Sequence, residues 1–230
     1  MLFREPFLDD FIGLLYPRLC PGCSATLYRQ ERSLCSRCLY HLPKTNFHRW
    51  RNNPVEMIFW GRVPVQYATA GFYFHKKGRF QKIVHEFKYR GGKELGQELG
   101  RIIGYDLAGS CFTESNVIVP VPLHISKLRK RGYNQSECIA HGLSEVLKRP
   151  LDLVSLQRSM ASSTQTRKSR FDRWKNVEEI FSLKNTECFA NQHVLLVDDV
   201  VTTGATLEAC ASTVLQSANA QVSIVTLAVA

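Results

Sequence analysis

No apolar run in this sequence is long enough to cross a membrane, and Met1 to Asp10 carries acids and a proline where a secretory leader would place basic residues before an apolar stretch. These two absences lead to the expectation of a cytoplasmic protein without a membrane span. There is no Walker A loop, which excludes a P-loop nucleotide site, and no internal repeat or low-complexity tract, which excludes a repeat architecture. An excess of acid is also missing: the formal charge is +10 over 230 residues. The surplus lies upstream of Ser182, because beyond it Lys184 is opposed by Glu187, Asp198, Asp199 and Glu208. A basic balance fits a polyphosphate or a nucleic-acid backbone, and charge alone does not separate the two.

What is present is concentrated near the end. Val194 to Val197 is an unbroken apolar segment, expected to be a short, buried, parallel central strand, and Asp198 and Asp199 follow where it should end. Thr202, Thr203, Gly204, Ala205 and Thr206 then supply hydroxyls and a residue of free dihedrals before a helix expected from about Thr206 to Ser217. N–H groups at a helix start bind phosphate, and paired carboxylates accept hydrogen bonds from vicinal hydroxyls. Ribose 5-phosphate has both features. A phosphoacceptor receiver domain shares the apolar-to-acidic order, but only 31 residues follow Asp199, too few for the rest of its sheet.

Cys20, Cys23, Cys35 and Cys38 form a pair of C-x₂-C knuckles, a spacing that places four thiolates around one tetrahedral ion and leaves no open position. A structural Zn²⁺ or other thiophilic ion is expected, with His41 and His48 not needed as ligands, and two disulfides or four unrelated thiols are the alternatives. Cys111, Cys138, Cys188 and Cys210 stand singly in apolar surroundings and read as buried small side chains. Phe7, Leu8, Phe11, Ile12, Leu14 and Leu15 recur at helical spacing, and His48 to Gly61 reads as a connector.

Between these ends the pattern predicts a strand at Tyr67–Phe74, helices at Gly78–Lys88 and about Lys93–Leu107, and a proline-broken strand at Val117–Pro122. A basic turn, Leu123 to Ser136, then leads into a helix reaching about Leu147. Its cations suit a diphosphate or a nucleic-acid backbone. Arg158 to Asn176 is long and polar, as expected of a cover over an anionic ligand, with ordinary surface mobility as the competing reading.

In order, the chain carries the zinc knuckles, Phe87-Lys88-Tyr89-Arg90-Gly91-Gly92, Val119-Pro120-Val121-Pro122-Leu123, Arg131-Gly132-Tyr133-Asn134-Gln135, Gln165 with Arg173 and Asn176-Val177 through Phe181, and the acid-to-threonine stretch. This resembles the ComF family, also termed GntX-like. The resemblance covers nearly the whole chain and implies an α/β fold: a type I phosphoribosyltransferase-like parallel sheet flanked by helices, preceded by a small four-cysteine zinc-ribbon-like module. The implied domains are 1–50 for an N-terminal helix and zinc module, 51–62 for a connector and 63–230 for the phosphoribosyltransferase-like domain. It further implies that Asp198 and Asp199 hold the ribose hydroxyls of phosphoribosyl diphosphate (PRPP), that Thr202 to Thr206 wrap its 5′-phosphate, and that Mg²⁺ accompanies it. Lys127, Arg129, Lys130 and Arg131 would face the diphosphate or a nucleic acid, with Lys88 and Arg90 nearby, and the stretch around Gln165 and Arg173 would form the cover. The family's link to natural transformation brings in DNA uptake, single-stranded DNA and a DNA translocase as expected partners. No acceptor is implied. Thr202 stands where purine salvage enzymes often carry an acid, so no general base is assigned and Asp198 and Asp199 are the candidate catalytic groups. A phosphoribosyltransferase, a PRPP sensor and a non-catalytic single-stranded DNA-binding accessory all fit these residues.

Overall fold

A computed structural model of the chain describes residues 16–75, 78–89, 92–158 and 181–230. The apolar stripe from Phe7 to Leu15, Arg90 with Gly91, and the expected cover with Gln165 and Arg173 lie outside the described residues. The elements are α1 (Ser36–Tyr40), α2 (Pro54–Met57), β1 (Ala68–Tyr73), α3 (Arg79–Tyr89), α4 (Lys93–Leu107), β2 (Val117–Pro120) and α5 (Ile125–Arg131), then α6 (Gln135–Leu147), β3 (Leu156–Arg158), β4 (Phe181–Leu183), β5 (His193–Val201), α7 (Ala205–Val214) and β6 (Gln221–Val229). Among the described residues no helix is long and apolar enough to cross a membrane.

Four strands form one parallel sheet in the order β1-β6-β5-β2, and β3 with β4 makes a separate antiparallel ribbon. The two inner strands are apolar on both sides, as a sheet covered by helices on both faces requires. Leu195, Val197, Val225 and Leu227 pack in one core with Ile83 and Phe87 of α3, Leu99 and Ile103 of α4, and Ile139 and Leu143 of α6. Their neighbours Val194, Leu196, Val222 and Ile224 pack in the other with Val55, Phe59, Leu207 and Val214. This alternation is the two-residue period of a strand.

The expected buried parallel strand is present, but it runs on to Val201, so Asp198 and Asp199 lie inside it rather than at its end. The reason is its partners: β6 keeps pairing with β5 as far as Val201↔Val229, whereas β2 stops at Pro120↔Val197. The basic segment also differs from the expected turn. Its cations form the short helix α5, and Gly132, at φ +78°, breaks the chain before α6 begins.

Helices α4 and α6 meet backbone to backbone. A Cβ on Gly100 would collide with the carbonyl oxygen of Ile139, and one on Gly142 with that of Gln97. Both glycines are therefore required by contact distance, not by their own dihedrals. Ahead of the sheet, Cys20, Leu34, Cys35, Cys38 and Leu42 join the α3 side of the core, and residues 51–62 carry α2 and bury Val55 and Phe59 against the opposite face.

Gly100→Ala forces the two helices apart, and overpacking of this kind costs about 1–3 kcal/mol, or roughly 2–12 °C in Tm for a chain of this size. Thermal denaturation of the variant checks this, and an unchanged Tm would mean that α4 and α6 are not in backbone contact.

Candidate functional site

The step between β5 and β2 positions the acids. Val121 donates its N–H to Val197 O at 2.8 Å, and beyond this point β5 has no strand on its β2 side among the described residues. Asn134 closes the gap from above: its amide donates to Val121 O at 3.1 Å, while its side-chain oxygen caps α6 by accepting from Ser136 N at 3.2 Å. That cap brings Ser136 over the acids, where its hydroxyl donates to Asp198 Oδ1 at 2.8 Å. The same oxygen accepts from Asp199 N at 2.8 Å, and Asp199 Oδ1 accepts from Val200 N at 2.6 Å. From the last turn of α3, Lys88 Nζ reaches Asp199 Oδ2 at 2.6 Å.

The charge on Asp198 is opposed by its surroundings. Burial, and then the charge of Asp199, push Asp198 up to about 7, against the opposing pull of its hydrogen bonds and of Lys88. The pair is held as acceptors on one edge, and among the described residues the ammonium of Lys88 is paired with it.

Following β5, Thr202 and Thr203 are exposed and Gly204 turns the chain into α7 at φ +76°. Among the described residues no side chain caps α7, so its first N–H groups lie at the positive end of the helix, where an anion is favoured. Asp198 and residues 200–207 line a small cleft of about 60 Å³, the scale of an oxyanion. Only glycine fits at 204: besides its φ, a Cβ would lie 2.5 Å from Ile58 Cγ2 and 3.0 Å from Phe59 Cε1. Arg62 fastens the loop from outside, donating to Thr203 O at 2.7 Å and to Ile58 O at 3.1 Å while pairing with Glu208 of α7.

The expected cationic group is divided. Lys127, Arg129 and Lys130 are exposed on α5, whereas Arg131 donates to Gln135 Oε1 at 2.7 Å and lies 5.6 Å over the Tyr89 ring. Lys88 is apart from them, at the acids, and Arg90 lies outside the described residues.

The sulfurs of Cys20, Cys23, Cys35 and Cys38 lie within 4.8 Å of one another. A tetrahedron of Zn–S bonds of about 2.3 Å has edges near ~3.8 Å, so the set fits one ion. Cys35 caps α1 through its sulfur, accepting from Cys38 N at 3.4 Å, and Cys35 N donates to Cys20 Sγ at 3.5 Å. Glu31 steadies the second knuckle, accepting from Ser36 N at 2.6 Å and from Ser36 Oγ at 2.7 Å. Burial and the neighbouring thiols push Cys38 up, so a cation is what would allow all four to act as thiolates. Of the single cysteines, Cys138 and Cys210 are buried while Cys111 and Cys188 are half-buried.

A family model described as a phosphoribosyl transferase domain matches residues 134–230, from the cap of α6 to the end of the chain. The DNA utilization protein YhgH of Escherichia coli is 28% identical over 214 residues, covering 90% of this chain and 88% of the relative. Competence protein F of Haemophilus influenzae is 33% identical over 132 residues (54% and 57%), and competence protein ComFC of Bacillus subtilis 30% identical over 140 residues (61% and 55%). The chain is thus similar over nearly its whole length to a DNA utilization protein, and over somewhat more than half of it to two competence proteins.

Two residues of this site carry no local sequence signal. Ser136 stands in the basic segment but acts on Asp198, and Arg62 belongs to the segment that reads as a connector yet fixes the threonine loop. Both depend on long-range packing that no spacing rule encodes.

Because Asp198 is raised from 3.8 to about 7, the proton it holds stabilises the folded chain at low pH, and that contribution is lost as pH rises through 7. Asp198→Asn removes this dependence. Its stability relative to the wild type should rise by about 2–3 kcal/mol between pH 5 and pH 8, read from urea denaturation at the two pH values. A difference that is flat with pH would contradict the raised carboxyl.

Proposed function

We propose that the chain binds PRPP, as its Mg²⁺ complex, at the β5 acids and the threonine loop, within a protein that serves DNA uptake and carries a structural Zn²⁺ on its four clustered cysteines. The observation that carries this reading is an uncapped helix start that shares one small cleft with Asp198, which is itself bonded to the neighbouring Asp199. Asp198 and Asp199 accept the vicinal hydroxyls of the ribose. The N–H groups at the start of α7, with Thr202, Thr203 and Thr206, take the 5′-phosphate. Mg²⁺ enters with the diphosphate and offsets its charge. In a transfer reaction the protein's share is to fix the ring and to favour charge separation at C1, with Asp198 and Asp199 facing the positive charge that develops as diphosphate leaves. The relatives' names, a DNA utilization protein and competence proteins, support the DNA-uptake setting.

Calorimetric titration with Mg²⁺ and PRPP tests the site. The wild type binds, and Asp198→Asn with Asp199→Asn weakens binding about 100-fold or more, since each lost hydrogen bond to a charged group is worth about 1.5–3 kcal/mol. Equal affinities for the two proteins would sink the reading.

A nucleic-acid surface is the second reading, favoured by the exposed cations of α5. On that reading neutralising Lys127, Arg129 and Lys130 lowers the slope of log affinity for single-stranded DNA against log salt by about 2. An unchanged slope places any DNA contact elsewhere.

A further inference from the structure

Lys88 differs from the other cations near the site in what surrounds it. Its side chain is 20% exposed and that of Asp199 is 18% exposed, so their 2.6 Å contact is largely out of water. Asp199 has its other oxygen fixed by Val200 N at 2.6 Å, and Asp198 commits Oδ1 to Ser136 and to Asp199 N. With Oδ1 turned to the backbone, the oxygen that Asp199 offers to a vicinal diol is Oδ2, the one that Lys88 covers. Moving the ammonium aside leaves a poorly solvated cation, which is costly unless another anion replaces the carboxylate. The side chain is suited to such an exchange, being a flexible stem with three donors.

A sugar phosphate supplies the replacing anion only if it carries one near the hydroxyls that take Asp199. Ribose 5-phosphate does not: its phosphate belongs at the start of α7, and C1 bears a neutral hydroxyl. PRPP does, through the diphosphate on C1. We propose that Lys88 is a specificity-determining residue that holds Asp199 until an anion on C1 of the ribose takes over its ammonium, so that PRPP is admitted in preference to ribose 5-phosphate. This rests on the ribose phosphate reading of the cleft. The exposed cations of α5 are unsuited to the role, because water and salt screen their charge.

The test is calorimetry at pH 8 with PRPP and with ribose 5-phosphate, each with Mg²⁺, on the wild type and on Lys88→Met, with thermal melts confirming that the variant is folded. Lys88→Met weakens PRPP about tenfold or more, the loss of a charge-assisted hydrogen bond. It tightens ribose 5-phosphate about two- to fivefold by freeing Asp199. Opposite signs for the two ligands are the expected result, and a merely structural role does not produce them. Weakening of both, tightening of both, or no change overturns the proposal. Equal affinity of the wild type for the two ligands overturns it while leaving the ribose phosphate reading intact, whereas binding of neither ligand removes both. A second measurement needs only the wild type: saturating methylenediphosphonate, a diphosphate that is not hydrolysed, supplies the anion separately and should tighten ribose 5-phosphate. Independent binding of the two would overturn the proposal even if Lys88→Met fails to fold.

Discussion

Two neighbouring carboxylates on a central strand, at the point where the strand loses one of its partners, are the constraint around which this structure is arranged. Like charges placed together out of water are unfavourable unless hydrogen bonds or a counter-charge offset them. Each surrounding element supplies part of that compensation. The Asn134 cap sets Ser136 over Asp198, the strand's own N–H groups turn onto both carboxylates, and Lys88 arrives from α3. What remains is an acceptor edge beside an uncapped helix start, the arrangement on which the proposed ribose phosphate site rests.

The N-terminal part of the chain is tied to this site along two routes. A Cβ on Gly22, between the first two clustered cysteines, would lie 3.2 Å from Ile83 Cδ1, so the knuckle rests on α3, whose last turn carries Lys88. On the other face, Ile58 and Phe59 close over Gly204 and Arg62 binds the carbonyl of Thr203. The four-cysteine cluster thus braces the helix that delivers the cation, and the segment after it braces the threonine loop.

The candidate site is legible in sequence as far as its parts are contiguous. Asp198 to Thr206 spells an acid pair, a flexible turn and a helix start in one run, and the paired C-x₂-C spacing places the clustered cysteines equally directly. Helix α4 is legible to the residue, since Leu95, Leu99, Ile103 and Leu107 repeat every fourth position. The strand end is misplaced by the sequence pattern because a pair of acids reads as a break in an apolar run, whereas the ladder to β6 carries β5 past them. Strand β6 and the β3–β4 ribbon have no counterpart in the sequence reading. Lys88 falls in with the cations of α5 there because sequence shows charge without direction. Only the packing of α3 on the sheet turns it to Asp199.

A crystal structure of the chain with Mg²⁺ and PRPP tests the central claim most directly. The account predicts the 5′-phosphate against the N–H groups of Ala205, Thr206 and Leu207, and the ribose hydroxyls on Asp198 and Asp199. A ligand bound along α5, with Asp199 still paired to Lys88 and the threonine loop vacant, would contradict it.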